Sequence, residues 1–191
     1  KGTTTTGKQV SFNTEYRDKI AGQMGSVTIE KLESGFRLYD SIRKIHTVSA
    51  NNLSYREDTY YKPTGEETIT STGFTQILYE SDLFEKDNIW SDAPAAVEAH
   101  WGSAMTYDYF KDNFNREGMD NSNGYLKVAV NYSKNYIGAH YNSNFKYLVF
   151  GDGHNDKDPL TDLDIVAHEY SHGVTYSYAD MNFNGESGSI T

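Results

Sequence analysis

The apolar side chains of this chain change their period part-way along, and that change limits the folds open to it. Up to about residue 90, Val10, Phe12, Val27, Ile29, Phe36, Leu38, Ile42 and Ile45 sit in short alternating stretches. These are broken by Gly22, Gly25, Gly35 and the turn Pro63-Thr64-Gly65. Alternation with glycine and proline punctuation predicts several antiparallel strands. Farther on, Val97, Trp101, Ala104, Met105 and Tyr109 recur every three or four residues, after Ser91-Asp92-Ala93-Pro94. Cap-forming residues followed by proline open a helix, which is predicted to run to about Phe114 with Gly118 as its stop. Leu126, Val128, Val130 and Tyr132 alternate again behind the turn Asn121-Ser122-Asn123-Gly124, and Tyr147-Leu148-Val149-Phe150 reads as a short apolar strand. It leads into Gly151-Asp152-Gly153, expected as a tight, exposed turn. A last helix is predicted over residues 161–179, with Thr161 as its N-cap and Asp162 and Asp164 in its first turn. The expected fold is α+β: a twisted, mainly antiparallel sheet carrying long helices.

Composition narrows the function classes. With 17 Lys+Arg against 27 Asp+Glu the net charge is −10, which argues against nucleic acid as a partner, because phosphate binding needs a basic face. An acidic surface suits solubility outside cells and oxygen-ligated calcium. The chain has no cysteine, so disulfides, thiol catalysis and cysteine-ligated zinc are excluded. No apolar run approaches the ~20 residues of a membrane span. The opening Lys1-Gly2-Thr3-Thr4-Thr5-Thr6-Gly7 reads as the start of a processed product.

The last predicted helix carries His168-Glu169-Tyr170-Ser171-His172, an H-E-x-x-H pentad. Four residues advance an α-helix by about 400°, so both imidazoles leave one face, one turn apart, where a single zinc ion can bind both. Glu169 follows the first ligand and is placed to take a proton from a zinc-activated water. The alternative for such a pentad is a charged helix face. A catalytic zinc needs three protein ligands and one open position. His46, His100, His140 and His154 lie in other elements, and no spacing recruits them; His100 reads as a hydrogen-bonded packing histidine.

At this point the sequence resembles the thermolysin-like metallopeptidases, the M4 family. The likeness covers nearly the whole chain. It is carried by Asp92-Ala93-Pro94-Ala95-Ala96-Val97-Glu98-Ala99-His100, by Met105-Thr106-Tyr107-Asp108-Tyr109-Phe110, and by Val149-Phe150-Gly151-Asp152-Gly153. It continues through Asp164-Ile165-Val166-Ala167-His168-Glu169-Tyr170-Ser171-His172-Gly173-Val174-Thr175 and Gly185-Glu186-Ser187-Gly188-Ser189-Ile190.

The resemblance implies a secreted, extracellular zinc endopeptidase acting on protein or peptide substrates. His168 and His172 would be zinc ligands, and Glu169 the general base that passes the proton to the leaving amine. Asp164 matches a calcium ligand of the family, the alternative being a dipole role in the first turn. Asn142 and Ser143 fall where the family pairs an exposed strand edge with substrate backbone, although Asn144-Phe145-Lys146 is shorter than the usual text there; the alternative is a polar surface loop. Phe183 replaces a tyrosine whose hydroxyl helps hold the oxyanion, and losing one such donor costs about 10²–10³ in rate.

The family's third ligand, a glutamate twenty residues after the second histidine, would be position 192, one beyond Thr191. Residues 1–191 would then be the N-terminal domain, with the zinc helix flooring a cleft closed by a helical C-terminal domain that lies beyond this chain. An isolated chain of this kind is expected to associate through the exposed face of that helix. The rival reading is a non-catalytic metal-binding or scaffold fragment of such a protease.

Overall fold

The computed structural model describes residues 2–4, 9–10, 27–52, 81–86, 90, 93–143, 145–154 and 157–179. The strands are β1 (Gly2–Thr4), β2 (Gln9–Val10), β3 (Thr28–Leu32), β4 (Gly35–Arg37), β5 (Tyr39–Asp40), β6 (Ile45–Ser49), β7 (Ser81–Asp82) and β8 (Phe84–Glu85). Helix α1 (Pro94–Phe114) is followed by β9 (Leu126–Tyr132), β10 (Ala139–Asn142), β11 (Tyr147–Gly151) and α2 (Leu163–Ala179). A five-stranded sheet runs β2-β1-β3-β4-β8, and a six-stranded one runs β10-β11-β9-β6-β5 with β7 also paired to β6.

The expected α+β class is observed, and most strand pairings are antiparallel. The middle of the large sheet differs: β6, β9 and β11 run parallel. Parallel neighbours need a crossover, and α1 supplies it between β6 and β9. Strands at the centre of such a sheet are covered on both faces. One face sends Ile45, Leu126, Val128, Val130, Leu148 and Phe150 against Val97 and Ala104 of α1 and Val166 of α2. The other sends Val48, Ala129, Tyr132 and Val149 into a smaller cluster packed by Tyr136 and Tyr147.

Helix α1 starts at Pro94 and ends at the expected Phe114, but its stop is Asn115, in the left-handed region at φ 53°, not Gly118. The N–H of Asn115 bonds the Lys111 carbonyl, so the helix closes three residues earlier than the glycine. His100, in the middle of α1, is fully buried: Thr47 Oγ1 lies 2.8 Å from Nδ1 and the Thr28 carbonyl 2.9 Å from Nε2. The carbonyl requires a proton on Nε2, so the threonine hydroxyl donates to Nδ1. His100 thus ties α1 to both sheets, as a packing histidine should. Ile42, grouped above with strand residues, sits in the β5–β6 turn and is 68% exposed. Arg43 in the same turn grips α1, its Nε and Nη2 donating to both oxygens of Asp108 at 2.7 and 2.6 Å and its Nη1 to buried Asp40 at 2.6 Å.

Helix α2 crosses α1 at Gly102, where a Cβ would lie 3.0 Å from Cβ of Val166. Tyr170 of α2 stacks on Phe110 of α1, centroids 6.0 Å apart. The start of α2 differs from expectation. Thr161 is not its cap; the hydroxyl turns inward and donates to Glu98 Oε2 of α1 at 2.9 Å, both residues being buried. The turn Gly151-Asp152-Gly153 is not exposed either. Both glycines are buried, and their N–H groups bond the carbonyls of Gly138 and Tyr136. A Cβ on Gly151 would meet the Tyr136 carbonyl at 2.0 Å, so only glycine fits there.

Candidate metal centre

Val166, Tyr170 and Gly173 form the buried side of α2, and Gly173 lets Met119 pack directly on its backbone. With that side fixed by α1 and the sheet, the helical repeat turns His168 and His172 outward together. Their Nε2 atoms are 2.9 Å apart and the rings meet edge to face, centroids 4.5 Å apart. Zinc–nitrogen bonds of 2.0–2.1 Å at a tetrahedral angle would separate two such atoms by about 3.3 Å. A slight rotation of either ring closes that difference, so this donor pair fits a shared zinc ion.

Glu169 lies on the flank of α2 that faces β10 and is buried. Its Oε2 accepts the Tyr141 main-chain N–H at 2.9 Å. Since β10 pairs with β11 on its other side, this N–H points away from β11, off the outer edge of the sheet as formed by the described residues. The carboxylate is therefore oriented by a strand, with Oε1 left over for another donor. Nothing in the sequence signals this anchor, because the group that supplies it is main chain.

The other expected site residues separate. Asn142 is the last residue of β10 and is buried; its Oδ1 accepts the N–H of Phe145 at 3.2 Å and so shapes the turn to β11. Ser143 follows in that turn, half-buried. Both are next in the chain to the Glu169 anchor. Asp164 is exposed in the first turn of α2 and its Oδ1 accepts the N–H of Ile165 at 2.9 Å, a local helix-start contact. His46, His140 and His154 stand in β6, in β10 and after β11. Among the described residues no third histidine or carboxylate joins the pair to make a group of three metal donors. Phe183, Thr191 and the stretch Gly185-Glu186-Ser187-Gly188-Ser189-Ile190 lie outside the described residues. A shallow, solvent-open groove lies beside Arg43, Tyr107, Met119, Lys146 and Tyr170, and touches neither His168, Glu169 nor His172.

The sequence model of the thermolysin metallopeptidase catalytic domain (Peptidase_M4) matches residues 2–176. The chain belongs to this family. Among its relatives, bacillolysin of Brevibacillus brevis is 38% identical over 128 residues, covering 66% of this chain and 24% of that protein. Neutral protease B of Bacillus subtilis (strain 168) is 31% identical over 175 residues, covering 90% of this chain and 30% of its own length. The chain thus spans less than a third of either relative. The solved structure described as the precursor of protealysin, a metalloproteinase from Serratia proteamaculans, superposes with a TM-score of 0.53 at 25% identity, over 76% of this chain and 38% of that one. The M4 match extends through α1, the parallel strands and the whole pentad, so membership does not rest on the pentad alone.

Proposed function

We propose that the enzyme carrying this chain is a zinc-dependent endopeptidase, secreted and extracellular, and that His168, Glu169 and His172 are its reacting centre. The observation that carries the reading is one arrangement: two imidazole nitrogens 2.9 Å apart on an outward helix face, beside a carboxylate bonded to a sheet edge. The bacillolysin and neutral protease relatives support the reaction class. Zinc, when bound, would supply a Lewis acid that polarises the scissile carbonyl and acidifies water.

The remaining chemistry belongs to side chains and main chain. His168 and His172 bind the ion and leave room for a third ligand from residues beyond Thr191. Glu169 takes the proton of the attacking water and hands it to the leaving amine. The Tyr141 N–H keeps that carboxylate from rotating, so Oε1 faces the reaction. An extended substrate peptide adds along the outer edge of β10 near Asn142 and Ser143, main chain to main chain. Asp164, exposed at the start of α2, contributes to a calcium site completed by later residues. A helical C-terminal domain of the same protease forms the other wall of the cleft above α2.

The test is cleavage of an internally quenched peptide by the zinc-loaded enzyme that contains this chain. Chelation should abolish turnover and zinc should restore it. Glu169→Gln should keep its zinc but lower kcat by about 10²–10⁴. Turnover that survives both the chelator and Glu169→Gln would overturn the proposal.

A further inference from the structure

A second array of proton-handling groups lies outside the pentad, at the joint of β6, β7 and the segment entering β9. The Tyr125 hydroxyl is 2.6 Å from Nδ1 of His46, and Nε2 of the same ring is 2.7 Å from Oδ1 of Asp82. Asp82 is held in turn by Nη1 of Arg37, 3.2 Å from its Oδ2. A carboxylate on Nε2 fixes the proton there, leaving the Nδ1 lone pair to accept the phenol proton. Burial, helped by Arg37 and Lys127, holds His46 below the ordinary imidazole range despite the opposing pull of Asp82. The ring is therefore neutral at pH 7 and available as a base. Tyr125 itself is 50% exposed, so reagents reach it.

Nucleophile, base and orienting carboxylate in hydrogen-bonded sequence are the parts that activate a hydroxyl in covalent catalysis. We propose that Tyr125 is an activated nucleophile, acylated faster than a comparably exposed tyrosine of this chain by small activated acyl donors such as acyl imidazoles. Tyr125 Oη bonds to the acyl carbon while its proton passes to Nδ1 of His46. The bond from that carbon to the leaving group then breaks, the leaving group departing with the electron pair and taking the proton from the imidazolium. The products are the tyrosyl ester, free imidazole and neutral His46.

The chain contains its own reference. Tyr109 is 56% exposed, slightly more than Tyr125, and makes no side-chain hydrogen bond among the described residues. Exposure alone predicts equal labelling of the two. The full chain is treated at pH 7 with limiting N-acetylimidazole, and each tyrosine is followed by peptide mass mapping. Release by hydroxylamine separates phenyl esters from lysine amides. Tyr125 should acetylate about tenfold faster than Tyr109, a conservative share of what a positioned base supplies. His46→Gln should bring the ratio to about one, and Asp82→Asn should lower it severalfold by freeing the ring, as expected for loss of base and of orienter. An unfolded fraction would also pull the ratio toward one, so each variant is labelled below its melting transition, with a circular dichroism spectrum matching that of the unmodified chain. Equal rates in the unmodified chain, or a ratio unchanged by His46→Gln, would overturn the proposal.

Discussion

At the scale of single residues, His100 shows what burial does to a titrating group. Enclosed on all sides, it is held down to about 4, chiefly because burial disfavours the imidazolium. In the unfolded chain the same ring titrates near ~6.5, so between these values the unfolded state binds the extra proton. The neutral ring's contribution is therefore intact above ~pH 6.5 and is lost as pH falls toward 4. The melting temperature should drop across that window, and His100→Gln, though less stable at pH 7, should show a shallower slope there. An equal slope in both proteins would assign the acid sensitivity to other groups. His100 was legible as a packing residue because it falls on the apolar face of a periodic helix. Thr161 was not: a threonine ahead of acidic helix residues signals a cap, and only the approach of Glu98 from α1 redirects its hydroxyl.

At the scale of elements, the sequence period located α1, β9, β11 and α2 to within a residue or two. It could not give the direction of the central strands, since alternation is the same for parallel and antiparallel neighbours. That direction follows from the length of the connection between β6 and β9, which is long enough to hold α1. Contacts between elements supply two stability predictions. Gly→Ala within a helix usually gains about 1 kcal/mol. At Gly102 the sign should reverse: the new methyl group meets Cβ of Val166, a branched side chain on another helix with little freedom to yield. Urea titration should show a loss of about 1–3 kcal/mol. The clamp on Arg43 should respond unequally. Asp40 is fully buried and also accepts the N–H groups of Ile42 and Arg43, so Asp40→Ala should cost about 3 kcal/mol or more. Asp108 sits at the partly exposed rim, and Asp108→Ala should cost about 1 kcal/mol.

At the scale of the whole molecule, the proposed metal binding would be linked to folding, because only the folded helix brings the two imidazoles together. Excess zinc should raise the melting temperature, with about 2.7 kcal/mol of stabilisation when free zinc reaches 100 times its Kd. His172→Ala should remove most of that rise without altering the metal-free melting temperature by much, because this ring lies on the outward face of α2. A zinc-induced shift of equal size in the variant would place the ion elsewhere. The pentad itself was plain in the sequence. The support behind it was not, since that depends on where β10 ends relative to α2.

The donor that holds Glu169 belongs to the peptide backbone at position 141, and this has a consequence for how the site tolerates change. The N–H that grips the carboxylate does not depend on the side chain at 141, whose ring is held separately by packing against the core and beside Tyr176. Proline alone removes the grip outright. Tyr141→Phe should therefore leave turnover in the parent enzyme nearly unchanged, while Tyr141→Pro should lower kcat even where zinc content is retained. The position is guarded by geometry, and a catalogue of side-chain substitutions would pass over it.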